Sequence, residues 1–176
     1  MTDKTHPRTP EDNPGFDTGT TPALLPAART PPHDAPLWAW IAYTEHRRTI
    51  AGQIDQARLG AYFSACQIAL SAESYGEVPR WGSAFMCWCM EQAGVLSTRH
   101  VSGRTWLRWG KELQQPRYGA PAVYWVDDPK SLAARCGFWV GGTATWDYCL
   151  GGDHHTPAPT IARYPRAALL GYRWIS

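Results

Sequence analysis

Residues 77–94 read EVPRWGSAFMCWCMEQAG, and the fold turns on how this stretch is read. A loop through Val78-Pro79-Arg80-Trp81 turns at Gly82-Ser83 and enters a helix. Ser83 is a candidate cap, Phe85, Met86, Cys89 and Ala93 form the expected buried face, and Gly94 is the expected stop. The first turn of a helix favours an anionic nucleophile, because unpaired backbone N–H groups and the helix dipole stabilise negative charge there. No such nucleophile stands at this point; the position is Gly82.

Upstream, Pro36 is a good first helical residue and is followed by Leu37, Trp38, Trp40, Ile41 and Tyr43, which predicts a helix. A second helix is expected from a cap at Asp55, with Leu59, Tyr62, Phe63, Cys66 and Leu70 on one face. Residues 1 to about 35 are rich in Pro, Thr, Asp and Gly, with few large apolar residues, and predict a flexible tail. The folded domain is expected over 36–176.

Downstream, a short helix is expected around Arg104 to Trp109, and then the pattern changes to short apolar runs between Gly, Pro and Asp. These predict strands at Pro121–Val126, Cys136–Gly141, Thr145–Leu150, Thr160–Arg163 and Leu170–Trp174. Helices first and strands second imply an α+β domain, N-terminal helices packed on a C-terminal antiparallel sheet. A two-residue turn at Gly142-Thr143 would set Trp139 opposite Trp146, Cys136 opposite Cys149 and Asp147 opposite Phe138.

A chain of 176 residues with 44% hydrophobic content suits a single core. The formal charge of +2, with scattered basic residues, argues against a nucleic-acid partner. No stretch has the apolar length of a secretory signal or a membrane span, so the chain reads as cytoplasmic when synthesised. The five cysteines show no disulfide spacing, which leaves buried, inert thiols as the expectation. Cys87 and Cys89 would sit about 200° apart around a helix and could not share a metal with His154 and His155, so neither a metal nor another cofactor is expected.

Four segments carry a family resemblance: Trp81-Gly82-Ser83-Ala84-Phe85, Ala134-Arg135-Cys136-Gly137-Phe138, Gly151-Gly152-Asp153-His154, and Arg163-Tyr164-Pro165 with Leu170-Gly171-Tyr172-Arg173-Trp174. From about Pro36 onward the chain resembles the small bacterial and phage peptidoglycan amidases and peptidases of the papain-like NlpC and CHAP kind. The resemblance implies a papain-like fold in which a cysteine at the helix start attacks a stem-peptide amide and an imidazole moves the proton. The matching positions here hold Gly82 for the cysteine, Arg135 for the histidine and Asp153 for the orienting residue. Glycine has no nucleophile, and a guanidinium stays protonated.

The resemblance therefore implies an inactive relative that binds a partner protein, or the stem peptide or glycan of peptidoglycan. The degenerate site would hold an Arg135–Asp153 ion pair with space beside Gly82. A binding groove would be lined by Trp81, Ser83, Trp106, Trp109, Arg135, Trp146, Asp153 and His154. Delivery without a signal would suit an interbacterial, type VI-like secretion system, as component or cargo. The alternative is an active hydrolase with Ser83 as displaced nucleophile and His154 or His155 as its base.

Overall fold

The computed structural model describes residues 30–48, 56–68, 81–152 and 158–176. In chain order they form α1 (Leu37–Arg48), α2 (Gln56–Ser64), α3 (Gly82–Gln92), a 3-10 turn (Gly103–Arg108), β1 (Lys111–Leu113), β2 (Pro121–Trp125), β3 (Ala134–Gly142), β4 (Trp146–Gly152), β5 (Pro159–Pro165), a second 3-10 turn (Arg166–Ala168) and β6 (Leu169–Trp174). This is an α+β fold with one six-stranded sheet in the order β1-β6-β2-β3-β4-β5, antiparallel throughout. All five expected strands are present, β1 is an addition, and the expected short helix is the first 3-10 turn. The expected tail over residues 1–29, the Asp55 cap and Leu70 lie outside the described residues. Among the described residues no helix is long and apolar enough to cross a membrane.

Pro36 does precede the first helix, and its carbonyl accepts from Ala39 N at 2.9 Å and Trp40 N at 3.3 Å. In α2, Leu59, Tyr62 and Phe63 are buried as the spacing implied, and Cys66 is buried just beyond the helix. A turn with Gln67 at φ 60° closes it. The helix α3 departs from its expected single apolar face, because every residue from Gly82 to Cys87, with Cys89 and Met90, is buried. It is the central helix of the domain. The cores of α1, α2 and α3 merge with Val123, Cys136, Phe138 and Leu150 from one face of the sheet. Tyr62 stacks on Trp81 at 5.8 Å and meets Phe85 and Trp88 edge-on, each at 5.3 Å.

A carboxylate joins α1 to α2. Glu45, 3% exposed, accepts from Tyr62 Oη at 2.7 Å and from Arg58, with Nε at 2.8 Å from Oε2 and Nη2 at 3.0 Å from Oε1. Burying a carboxylate is costly unless donors surround it, and these donors do so.

The other sheet face carries a second, smaller cluster of Ala122, Tyr124, Cys149, Tyr164, Ala168 and Tyr172. At its centre Asp147 has no solvent exposure and four donors. Tyr124 Oη and Tyr172 Oη donate to Oδ2 at 2.9 and 2.5 Å, while Trp139 Nε1 and Arg166 Nε donate to Oδ1, each at 2.9 Å. Tyr124 also stacks on Tyr164 at 4.7 Å.

This cluster goes with a hairpin register that differs from the expected one. Trp139 lies opposite Cys149 rather than Trp146, Phe138 opposite Leu150, and Asp147 opposite Gly142, with a bulge between Trp139 and Gly141. The turn is longer than two residues: Thr143 N bonds Trp146 O at 2.7 Å, and Thr143 Oγ1 accepts from Trp146 N at 3.1 Å. Gly142 is required beside the carboxylate, because a Cβ there would lie 2.9 Å from Asp147 Oδ1 and 2.8 Å from the Trp146 carbonyl oxygen.

The helix α3 stops where expected, with Gly94 at φ 72°. Past it, Glu91 organises the loop by accepting from Ser97 N at 3.1 Å, Ser97 Oγ at 2.9 Å and Arg99 Nε at 3.0 Å. The Arg99 guanidinium, with help from Ser97, pulls the Glu91 carboxyl down to about 2.

Two expectations follow. Asp147→Ala leaves four donors without an acceptor, one of them a guanidinium, and should cost about 3–5 kcal/mol of stability in urea unfolding; a loss below about 1 kcal/mol would mean that water replaces the carboxylate. Because the Glu91 pKa is depressed on folding, its contribution is fully present above the ordinary carboxylate range and is lost as pH falls toward about 2. The stability advantage of wild type over Glu91→Gln should therefore shrink steadily between about pH 5 and pH 2, and a constant difference across that window would contradict it.

Candidate functional site

The start of α3 is built by glycines. Gly82 is the first helical residue, Trp81 precedes it, and no side chain caps the helix. A Cβ on Gly82 would stand 2.6 Å from the Gly152 carbonyl oxygen and 3.5 Å from that of Cys136. A Cβ on Gly152 would fall 2.3 Å from the Trp81 ring, and one on Gly151 would be 3.1 Å from the Cys136 carbonyl oxygen. The helix start therefore lies backbone to backbone against β3 and β4. The expected space beside Gly82 is absent, because the Gly152 carbonyl occupies it.

Ser83 is neither a cap nor available for attack. It is 2% exposed, its Oγ donates to His100 O at 2.6 Å, and it accepts from Trp106 Nε1 at 2.9 Å. A carbonyl cannot take the hydroxyl proton away, so this partner does not activate the oxygen. Ser83 thus links the Trp106 indole to the His100 carbonyl. Its proposed bases, His154 and His155, lie outside the described residues, as does Asp153.

Arg135 does not face Gly82. Cys136 and Phe138 belong to the core beneath α3, whereas Trp139 packs against the Asp147 side, and strand residues alternate between faces. Arg135 also pairs directly across from Tyr124, a residue of the Asp147 side. The residue of this pair that faces α3 is Cys136, whose thiol is pushed up to about 12 by burial. With its pKa raised this far, Cys136 keeps its proton near neutral pH and does not suit proton transfer there.

The expected aromatic groove is largely core. Trp106 is fully buried, and Trp81 is sandwiched in the Tyr62 cluster. Trp109 is half-buried, with Nε1 donating to Leu96 O at 2.7 Å and its ring 5.6 Å from that of Trp106. Trp146 lies at the β3–β4 turn under the Arg163 guanidinium at 4.7 Å. Among the described members of the expected set, Trp109, Arg135 and Trp146 are thus the partly accessible ones.

All five cysteines are free and buried. Burial raises the Cys89 and Cys149 thiols as well as that of Cys136, which is the inert behaviour expected of them. Cys87 differs. A hydrogen bond from the Cys66 thiol, aided by Thr98, Ser97 and the His100 carbonyl region, holds it at about 5 against the opposing effect of burial. Its Sγ lies 3.5 Å from Thr98 Oγ1 and 3.9 Å from His100 O.

Sequence reasoning missed Asp147 and Glu45. The available signals were an acidic residue inside an apolar strand run, Trp146-Asp147-Tyr148, and one inside the helix Leu37–Arg48. Among the described residues no three His, Cys, Asp or Glu side chains gather as a metal site. No family model, no curated protein and no solved structure matches the chain.

The glycine contact predicts the sign of a substitution. Gly82→Ala gains about 1 kcal/mol of helix propensity but forces a methyl group against a backbone oxygen, and overpacking of this kind costs about 1–3 kcal/mol. Net destabilisation is expected in urea unfolding, and more of it for Gly82→Cys; a stabilised Gly82→Ala protein would show that the helix start moves freely off the sheet.

Proposed function

We propose that this chain is a non-catalytic, papain-like relative of the NlpC and CHAP peptidoglycan amidases and that it works by binding a protein partner. The observation that carries the reading is the 2.6 Å approach of the Gly82 Cβ position to the Gly152 carbonyl, which leaves no room for a nucleophilic side chain where such an enzyme keeps its cysteine. The neighbouring groups add support: Ser83 is bonded on both sides, Arg135 points to the opposite sheet face, and Cys136 holds its proton. A protein is preferred to glycan as partner because Trp81 and Trp106, the residues expected to grip sugar rings, are spent in the core. Delivery through an interbacterial secretion system remains part of this proposal, as a setting in which a chain of this kind meets its partner.

The test is incubation of the full chain with purified peptidoglycan sacculi, with released fragments read by mass spectrometry and binding read by co-sedimentation. No fragments above the buffer control and no sedimentation are expected. Release of cleaved stem peptides would overturn the non-catalytic reading, and saturable sedimentation would replace the protein partner with the wall.

A further inference from the structure

Between Gly94 and Gly103 the chain has no regular structure and runs back along α3 toward its first turn. Its contacts follow the helix in reverse: Ser97 meets Glu91, Thr98 meets Cys87, and His100 meets Ser83. Ser83 and Cys87 are four residues apart and so share one face of α3. Ser83 Oγ donates to His100 O at 2.6 Å, while Cys87 Sγ donates to the same oxygen at 3.9 Å and lies 3.5 Å from Thr98 Oγ1. Both residues are buried, yet the segment over them is not: Leu96 is 64% exposed, and Arg99 and His100 are exposed. A single stretch of chain thus covers this flank of the central helix.

Polar contacts at Glu91 hold that stretch in place. The carboxylate accepts from Ser97 N and Oγ and from Arg99 Nε and Nη2, the last two at 3.0 and 3.2 Å. Arg99 stands at φ 51°, in the left-handed region that is disfavoured for a residue with a Cβ. The covering conformation is therefore one that the Glu91 contacts impose, against the preference of the backbone. The two ends of the segment differ. Gly94, at φ 72°, has open space where a Cβ would stand, whereas a Cβ on Gly103 would lie 3.1 Å from Cys136 Sγ and 3.3 Å from Ala134 O.

We propose that residues 95–102 form a hinged strap, latched by Glu91, whose opening uncovers the Ser83–Cys87 flank of α3 while the rest of the domain stays folded. Gly94 is the free hinge, and Gly103 keeps the far end against β3. When Ser97 and Arg99 leave Glu91, Arg99 relaxes out of the left-handed region, and His100 O withdraws from Ser83 and Cys87. A hydroxyl and a thiol that the closed strap hides then face solvent. This inference stands whether or not the chain is a relative of the amidases, since it uses neither Gly82 nor Arg135.

The test is pulse labelling of the folded full chain with iodoacetamide, read at each cysteine by mass spectrometry after trypsin digestion. Cys87 and Cys89 share the peptide 81–99 and are resolved by fragment ions. In wild type the Cys87 rate should be nearly independent of urea below the unfolding transition, because a local opening exposes little surface. The rates at Cys89, Cys136 and Cys149 should rise with urea, as global unfolding requires. In Glu91→Gln the Cys87 rate should increase about tenfold, the scale of losing hydrogen bonds to one charged group, with the other three unchanged. Hydrogen exchange on wild type should show the amides of Ser97 and Arg99 opening ahead of those within α3. A Cys87 rate with the same urea dependence as Cys149, or strap amides that exchange only with the whole domain, would overturn the proposal. So would a Glu91→Gln rate at Cys87 that stays unchanged or rises equally at all four thiols. The wild-type arms decide the question even where the variant fails to fold.

Discussion

The approach of a helix start to two strands with no side chain between them is the constraint on which the rest of this domain depends. Gly82 of α3 and Gly151 and Gly152 of β4 let backbone meet backbone, and Trp81 fills the space over Gly152 that a larger residue would claim. Because the helix is drawn in this close, α1, α2 and the sheet can enclose it, which is why an eleven-residue helix is buried almost all round. The same closeness leaves no room for a side chain on Gly82 itself.

Two fully or nearly buried carboxylates organise what surrounds that contact. Glu45 ties α1 to α2 on the helical side, and Asp147 ties β2, β3, β4, the second 3-10 turn and β6 together on the other. Such groups are poor sources of net stability, because desolvation consumes most of what the bonds return. Their effect is selective: each carboxylate is tolerable only when all of its donors arrive, so arrangements that leave one out are penalised. The segment Arg163 to Trp174, which carries part of the family resemblance, serves this role through Arg166 and Tyr172.

The α+β class, the five longer strands and the starts of the helices were legible, since Pro and Gly punctuate the chain and the apolar runs have strand length. The hairpin register was not, because the carboxylate of Asp147 is held by side chains 19 to 25 residues away in sequence, at Tyr124, Arg166 and Tyr172, as well as by nearby Trp139. The strand β1, Lys-Glu-Leu, has no alternating pattern and exists through its pairing with β6. The groove was misread for a related reason: aromatic residues that could line a surface were assigned there, while the helix behind them is buried over most of its circumference and packs with Trp81 and Trp106. Gly82 was recognised as a missing nucleophile, but nothing in a linear sequence places the Gly152 carbonyl above it. The low pKa of Cys87 was equally hidden, since it depends on Cys66 and on the loop around Thr98.

The placement of β6 has a bearing on how the chain reaches this state. It pairs with β1 on one side and β2 on the other, although some fifty residues separate it from β2. During synthesis the hairpins β2–β3–β4 emerge well before residue 169, so a growing chain carries β2 as an open sheet edge. Until Arg166 and Tyr172 arrive, the carboxylate of Asp147 lacks two of its four donors and is better hydrated than enclosed. Pairing over so long a separation carries a high loop-closure cost, and the two donors that complete the Asp147 site arrive with the same segment that closes the sheet edge.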